Sequence, residues 1–106
     1  MINAKFFQKK NCLTGFSVSG HADYDNSGKD IVCASVSSAV QLASNMITEG
    51  FKIKADVSVD NQKISLLVTD SENSENARIV LDSLYQHLTF ISEDYKGTIN
   101  IILSEV

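Results

Sequence analysis

The 106-residue chain has no proline, no tryptophan, five glycines and two cysteines. Without proline there is no polyproline segment and no proline-stiffened linker. Cys12 and Cys33 are too few for a disulfide framework and are expected as thiols in a reducing compartment. They form no CxxC pair, which removes a thioredoxin-like motif and a zinc ribbon. No apolar run approaches the ~18–20 residues that span a bilayer, so a membrane protein is not expected. The opening residues Met1-Ile2-Asn3-Ala4-Lys5 lack the apolar centre of a signal peptide, and a cytoplasmic protein is expected. Positive charge is also scarce, with nine Lys and Arg against thirteen Asp and Glu, a net charge of −4 and a pI near 4.9. That balance disfavours phosphate-backbone binding, so no direct nucleic-acid contact is expected and a basic polypeptide fits better as a partner.

What is present is ordinary globular composition, 43% hydrophobic and 21% charged, which excludes disorder. No linker or low-complexity stretch divides the chain, and a single domain over residues 1–106 is expected. Ile2, Ala4 and Phe6 alternate with Asn3 and Lys5, and Phe16 and Val18 with Ser17 and Ser19. Around a Lys9-Lys10-Asn11 turn this predicts a hairpin ending at Gly20. Ile53, Ala55, Val57 and Val59, then Asp60-Asn61-Gln62, then Ile64, Leu66 and Val68 predict a second hairpin. Ile99, Ile101 and Leu103 predict a last strand. Val32, Val36, Ala39, Val40, Ala43, Met46 and Ile47 recur at helical spacing up to Gly50. Ala77, Val80, Leu81, Leu84, Leu88 and Ile91 do the same between a cap at Asn73 or Ser74 and Lys96-Gly97. The order β-β-α-β-β-α-β predicts an α+β fold, a two-layer sandwich of a mostly antiparallel sheet of about five strands with two helices on one face.

Gly20-His21-Ala22-Asp23-Tyr24-Asp25-Asn26-Ser27-Gly28-Lys29-Asp30-Ile31-Val32-Cys33-Ala34-Ser35 is the stretch richest in candidate chemistry. It joins a strand end to a helix start, where scaffolds commonly present reactive groups. His21 and Cys33 stand twelve positions apart. With Asp30 as N-cap, Cys33 is the third helical residue. With Ser27 as N-cap, Asp30 completes a capping box. Either choice keeps Cys33 within about two turns of the helix start, and the first turn's free amides favour a thiolate. A thiol so placed, beside an imidazole able to take its proton, is the minimum set for a nucleophile. Competing readings stay open. Cys33 in an apolar run can be core, and His21 can be a polar strand end. His21, Asp23, Asp25 and Cys33 are all metal-ligand types, but a calcium loop beginning at Asp23 needs its bidentate Glu where Ala34 stands. A non-catalytic dimeric interaction module is the other alternative, since Phe7, Leu67, Phe90 and Ile102 fall off the main apolar faces.

Gly20-His21-Ala22, Gly28 and Asp30-Ile31-Val32-Cys33-Ala34, followed by Ser35 to Ser38, resemble the signature of the ribosomal-processing cysteine proteases, the Prp family. The resemblance implies an α+β homodimer with Cys33 as nucleophile and His21 as base, and no cofactor. It also implies a narrow substrate, the N-terminal extension of the large-subunit ribosomal protein numbered twenty-seven. The cut would follow a pair of phenylalanines and precede a small residue. Asp23-Tyr24-Asp25-Asn26 inherits no role. Backbone amides at the helix start are the expected oxyanion donors. Asp30 is a candidate to orient the imidazole, against its role as a cap. Ser37 either bonds near the site or, with Ser38, lets the helix approach the sheet. Gly20 and Gly28 serve as lid hinges or simply as a strand end and a turn. Cys12 is expected to be structural, and His87 to face solvent.

Overall fold

The computed structural model describes residues 1–20, 26–70 and 74–106, giving the backbone alone for 26–30 and 74. Strands β1 (Ile2–Lys9) and β2 (Cys12–Gly20) open the chain and helix α1 (Asn26–Asn45) follows. After a π-helical turn (Met46–Gly50) come β3 (Ala55–Val59), β4 (Lys63–Val68), α2 (Ser74–Asp94) and β5 (Ile99–Glu105). One sheet of order β3-β4-β2-β1-β5 takes all five strands. β5 runs parallel to β1 and the other neighbours are antiparallel. The predicted α+β class and element order are both found.

The register aligns the apolar period-2 residues across the sheet. Ala4 stands opposite Val18 and Ile101, Phe6 opposite Phe16, and Phe16 opposite Leu66. Both helices seal this face. Val32, Val36, Val40, Ala43 and Ile47 of the first helical segment and Ala77, Val80, Leu81, Leu84 and Leu88 of α2 are buried against it. Phe6 lies at the centre, 5.2 Å from the Tyr85 ring in an edge-on arrangement and 6.4 Å from Phe16. The opposite face is polar, with Asn3 and Asn100 side by side, and carries Phe7, Leu67 and Ile102. Phe90, grouped with these three by sequence, lies on α2 instead.

The turns follow local chemistry. Lys10 and Asn11 both have positive φ, 54° and 65°, as a two-residue hairpin turn with native twist requires. At the second hairpin Asp60 Oδ1 accepts from the Gln62 amide at 2.8 Å, and the Asp60 amide donates to the Lys63 carbonyl.

Three expectations change. α1 begins at Asn26, so Ser27, Gly28 and Asp30 lie inside it, and neither proposed N-cap is the cap. Ile53 is buried but precedes β3. Its amide donates to the Ile47 carbonyl of the π turn, and Lys52 before it has φ 57°. Finally, Ile31–Gly50 is long and apolar enough on composition to cross a bilayer, which run length had not suggested. Part of that apolar content, the stripe Val32, Val36, Val40, Ala43 and Ile47, packs into the core, whereas Ile31, Leu42 and Met46 are exposed. Asn73 lies outside the described residues.

Two glycines make opposite demands. A Cβ on Gly15 would sit 2.3 Å from the Leu66 carbonyl oxygen across the β2–β4 pair, whereas one on Gly50 meets nothing closer than 4.0 Å. Gly15→Ala is expected to cost about 1–3 kcal/mol through overpacking. Gly50→Ala is expected to gain ~0.4–1 kcal/mol by restricting the unfolded chain. Urea unfolding midpoints of the two variants check both signs.

Candidate active site

Burial of Val32, Val36 and Val40 fixes the rotation of α1 about its axis. Cys33, Ser37 and Gln41, spaced by four, therefore follow one another along one flank. Cys33 is half-buried there. That flank forms one wall of a cleft of about 430 Å³. Ile2, Val18, Val36 and Ile64 lie along its apolar side, and the end of β2 at Ser19-Gly20 and the β3–β4 turn from Asp60 to Lys63 close the far side. The Gln41 amide Nε2 donates to Ser37 Oγ at 3.0 Å, one turn beyond Cys33. Of the two readings of Ser37, the one that places it at the cleft holds. Ser38 lines a different groove, between α1 and α2.

Gly20 anchors the opposite end. Its φ is 89°, and a Cβ there would lie 2.5 Å from the Met1 carbonyl oxygen. Its amide donates to the Gln62 carbonyl at 3.3 Å. Only glycine combines that close approach with that backbone angle. The strand-end reading of Gly20 therefore stands, whereas Gly28 is a helical residue and not a turn. Gly20 precedes His21 in sequence and lines the cleft that Cys33 lines. His21 itself, with Asp23, Tyr24 and Asp25, lies outside the described residues, as does the side chain of Asp30.

The helix start carries a chemical correction. Cys33 is the eighth residue of α1, just over two turns in, where its amide belongs to the helical hydrogen-bond ladder. The unsatisfied amides and the helix field act in the first turn. Oxyanion donation from the start of α1 and a first-turn thiol are therefore not what this backbone provides.

Sequence spacing also missed a neighbour of the other thiol. Arg78 Nη1 lies 4.0 Å from Cys12 Sγ, and Nη2 donates to Glu75 Oε1 at 2.7 Å. The Arg78 guanidinium is held above its ordinary pKa by Cys12 first and Glu75 second. Sixty-six positions separate Cys12 from Arg78, and no local pattern signals that meeting. His87 is exposed, as expected, on the groove between the helices. Among the described residues no three His, Cys, Asp or Glu side chains converge on a possible ion site.

Residues 1–100 match the family described as Cysteine protease Prp. The chain belongs to the Prp family of cysteine proteases. It is 27% identical over 94 residues to the ribosomal processing cysteine protease Prp of Bacillus subtilis, covering 84% of each chain. The Staphylococcus aureus Prp is 29% identical over 91 residues, which is 84% of this chain and 85% of that one. A crystal structure of Staphylococcus aureus Prp with a covalently linked product peptide superposes with a TM-score of 0.87 at 25% identity, covering 98% of this chain and 100% of that one. The enzyme class follows from Prp membership: this chain is a cysteine protease.

The exposed position of Ser37 on the cleft wall gives a test of where a Prp-type peptide lies. Ser37→Phe is expected to lower kcat/KM for a cleaved peptide at least tenfold by filling the cleft. Stability should change by no more than ~0.5 kcal/mol, as for an exposed site. Steady-state kinetics beside urea unfolding separates the two effects.

Proposed function

We propose that this protease matures the ribosome by removing the N-terminal extension of the large-subunit ribosomal protein numbered twenty-seven, with Cys33 as nucleophile and His21 as general base and acid. The observation that carries this reading is the shared cleft, with Cys33 on one wall and Gly20, the residue before His21, at the end of the other. Support comes also from relatives named as ribosomal processing proteases and from the Staphylococcus aureus Prp, whose structures hold a substrate peptide and a covalently linked product peptide.

In this mechanism His21 takes the Cys33 proton and the thiolate sulfur attacks the scissile carbonyl carbon. Collapse of the tetrahedral intermediate breaks the C–N bond, and the proton on His21 passes to the departing amine. Water, deprotonated by the same imidazole, then hydrolyses the thioester and restores the thiol. No cofactor enters any step. The resemblance places the cut after two phenylalanines and before a small residue. The apolar lining of Val18, Val36 and Ile64 suits such side chains. A basic ribosomal-protein tail is drawn to the acidic segment holding Asp23, Asp25 and Asp30. The protein works in the cytoplasm as a homodimer. Phe7, Leu67 and Ile102 on the sheet face away from the helices are the apolar surface offered for pairing.

Cys33→Ala is expected to abolish cleavage of a quenched fluorescent peptide bearing the phenylalanine pair. His21→Ala should slow it ~10²–10⁴-fold, the contribution of a positioned base. Cys12→Ser should leave turnover within about twofold, and circular dichroism confirms folding of all three. Cleavage retained by folded Cys33→Ala would overturn the thiol mechanism.

A further inference from the structure

β3 is the outermost strand on the cleft side of the sheet, and its hydrogen-bonding parity is set by its two ends. The Thr69 amide donates to the Lys54 carbonyl and the Asp60 amide to the Lys63 carbonyl. In an antiparallel ladder bonded pairs alternate, so Asp56 and Ser58 also bond to β4. The amides and carbonyls of Ala55, Val57 and Val59 therefore point away from the sheet. The side chains of the same residues lie on the helix-covered face, Val57 opposite the buried Leu66 and Val59 opposite Ile64. The helices stop short of them, leaving Val57 45% exposed and Val59 68% exposed. No proline and no bulge guards this edge, although edge strands are commonly protected by such devices. β3 runs toward the Cys33 cleft, and Val59 at its end lines that cleft; among the described residues no β5 residue does.

A protease substrate is an extended chain with alternate amides and carbonyls in need of partners. We infer that the peptide substrate adds to β3 as a sixth strand, hydrogen-bonded to the outward groups of Val57 and Val59, and that this pairing carries its scissile bond into the cleft beside Cys33. Alternate peptide side chains then cover the two exposed valines, and main-chain bonds supply affinity while the apolar cleft selects the residue near the cut. The inference deepens the reading of Cys33 as nucleophile and rests on it for the direction in which the peptide points. It assigns β3 a substrate-binding role that the order of residues in the active-site segment does not signal.

Val57→Pro tests the pairing, because it deletes an outward donor without deleting a ladder bond. Leu103→Pro is the matched control. β5 bonds to β1 through its even-numbered residues, as shown by the Ile2 amide on the Thr98 carbonyl and the Val106 amide on the Gln8 carbonyl, so the Leu103 amide also points outward, at the far edge. Two measurements are made on folded protein: KM for a cleaved peptide, and anisotropy binding of that peptide to the Cys33→Ala protein with and without each proline. Val57→Pro should weaken binding and raise KM ~3–10-fold, the range for one lost hydrogen bond, with kcat little changed. Leu103→Pro should change neither. N-methylation along the peptide should weaken binding tenfold or more at every second residue and spare those between. Unaltered binding in Val57→Pro, or an N-methyl profile without the two-residue period, overturns the pairing while leaving the thiol mechanism standing. Cleavage retained by folded Cys33→Ala with the binding pattern intact would overturn the mechanism and not the pairing. If Val57→Pro instead turns a dimer into a monomer in size-exclusion chromatography without affecting peptide binding, the edge belongs to a second copy and the inference fails.

Discussion

Where Cys33 stands depends on the packing of one helical stripe. Val32, Val36, Val40, Ala43 and Ile47 must all leave water together, and only one rotation of α1 allows it. That rotation turns the Cys33-Ser37-Gln41 flank toward the end of β2 and the β3–β4 turn. A thiol one position earlier would be buried where Val32 is. One position later it would stand where Ala34 is exposed. Cys33 is thus positioned by the hydrophobic packing of the stripe beside it.

The opposite wall is held by backbone, and in a different manner. Gly20 is clamped between the Met1 carbonyl and the Gln62 carbonyl, so β2 ends at a fixed point. A helix seated by side-chain volume faces a strand end seated by main-chain contacts, and the cleft is the gap between them. Both walls belong to elements buried on their other side, which seats the cleft on well-packed flanks.

Much of this was legible in the residue order, because burial is periodic. The alternation of Ile2, Ala4 and Phe6 and the helical spacing from Ala77 to Leu88 record the single covered face directly. The pairing of His21 with Cys33 as candidates came from residue types and from resemblance to Prp. Other features carried no such record. The start of α1 at Asn26 escaped because Ser27 and Asp30 both satisfy capping preferences and the residues before Ile31 lack an apolar period. The exposure of Val57 and Val59 escaped because alternation reports which residues share a face, not whether a helix reaches far enough to cover it. Arg78 of α2 beside Cys12 of β2, and the turn at Asp60 on the same cleft as Cys33 of α1, are meetings between helix and sheet that no local pattern records.

The parallel pairing of β1 with β5 has a consequence for how the chain reaches this state. Ile2 sits opposite Ile99, so the strand near the start of the chain completes its hydrogen bonding through one near the end. The hairpin of β1 and β2 and the hairpin of β3 and β4 close over short loops, and each can form soon after its residues are synthesised. The β1–β5 ladder instead encloses nearly the whole sequence, the costliest closure the topology contains, and cannot form until β5 has been synthesised. Until then one side of β1 is an open edge. The pairing of the earliest and latest strands is thus the most non-local contact in the sheet, and such contacts slow folding relative to a fold closed by hairpins alone.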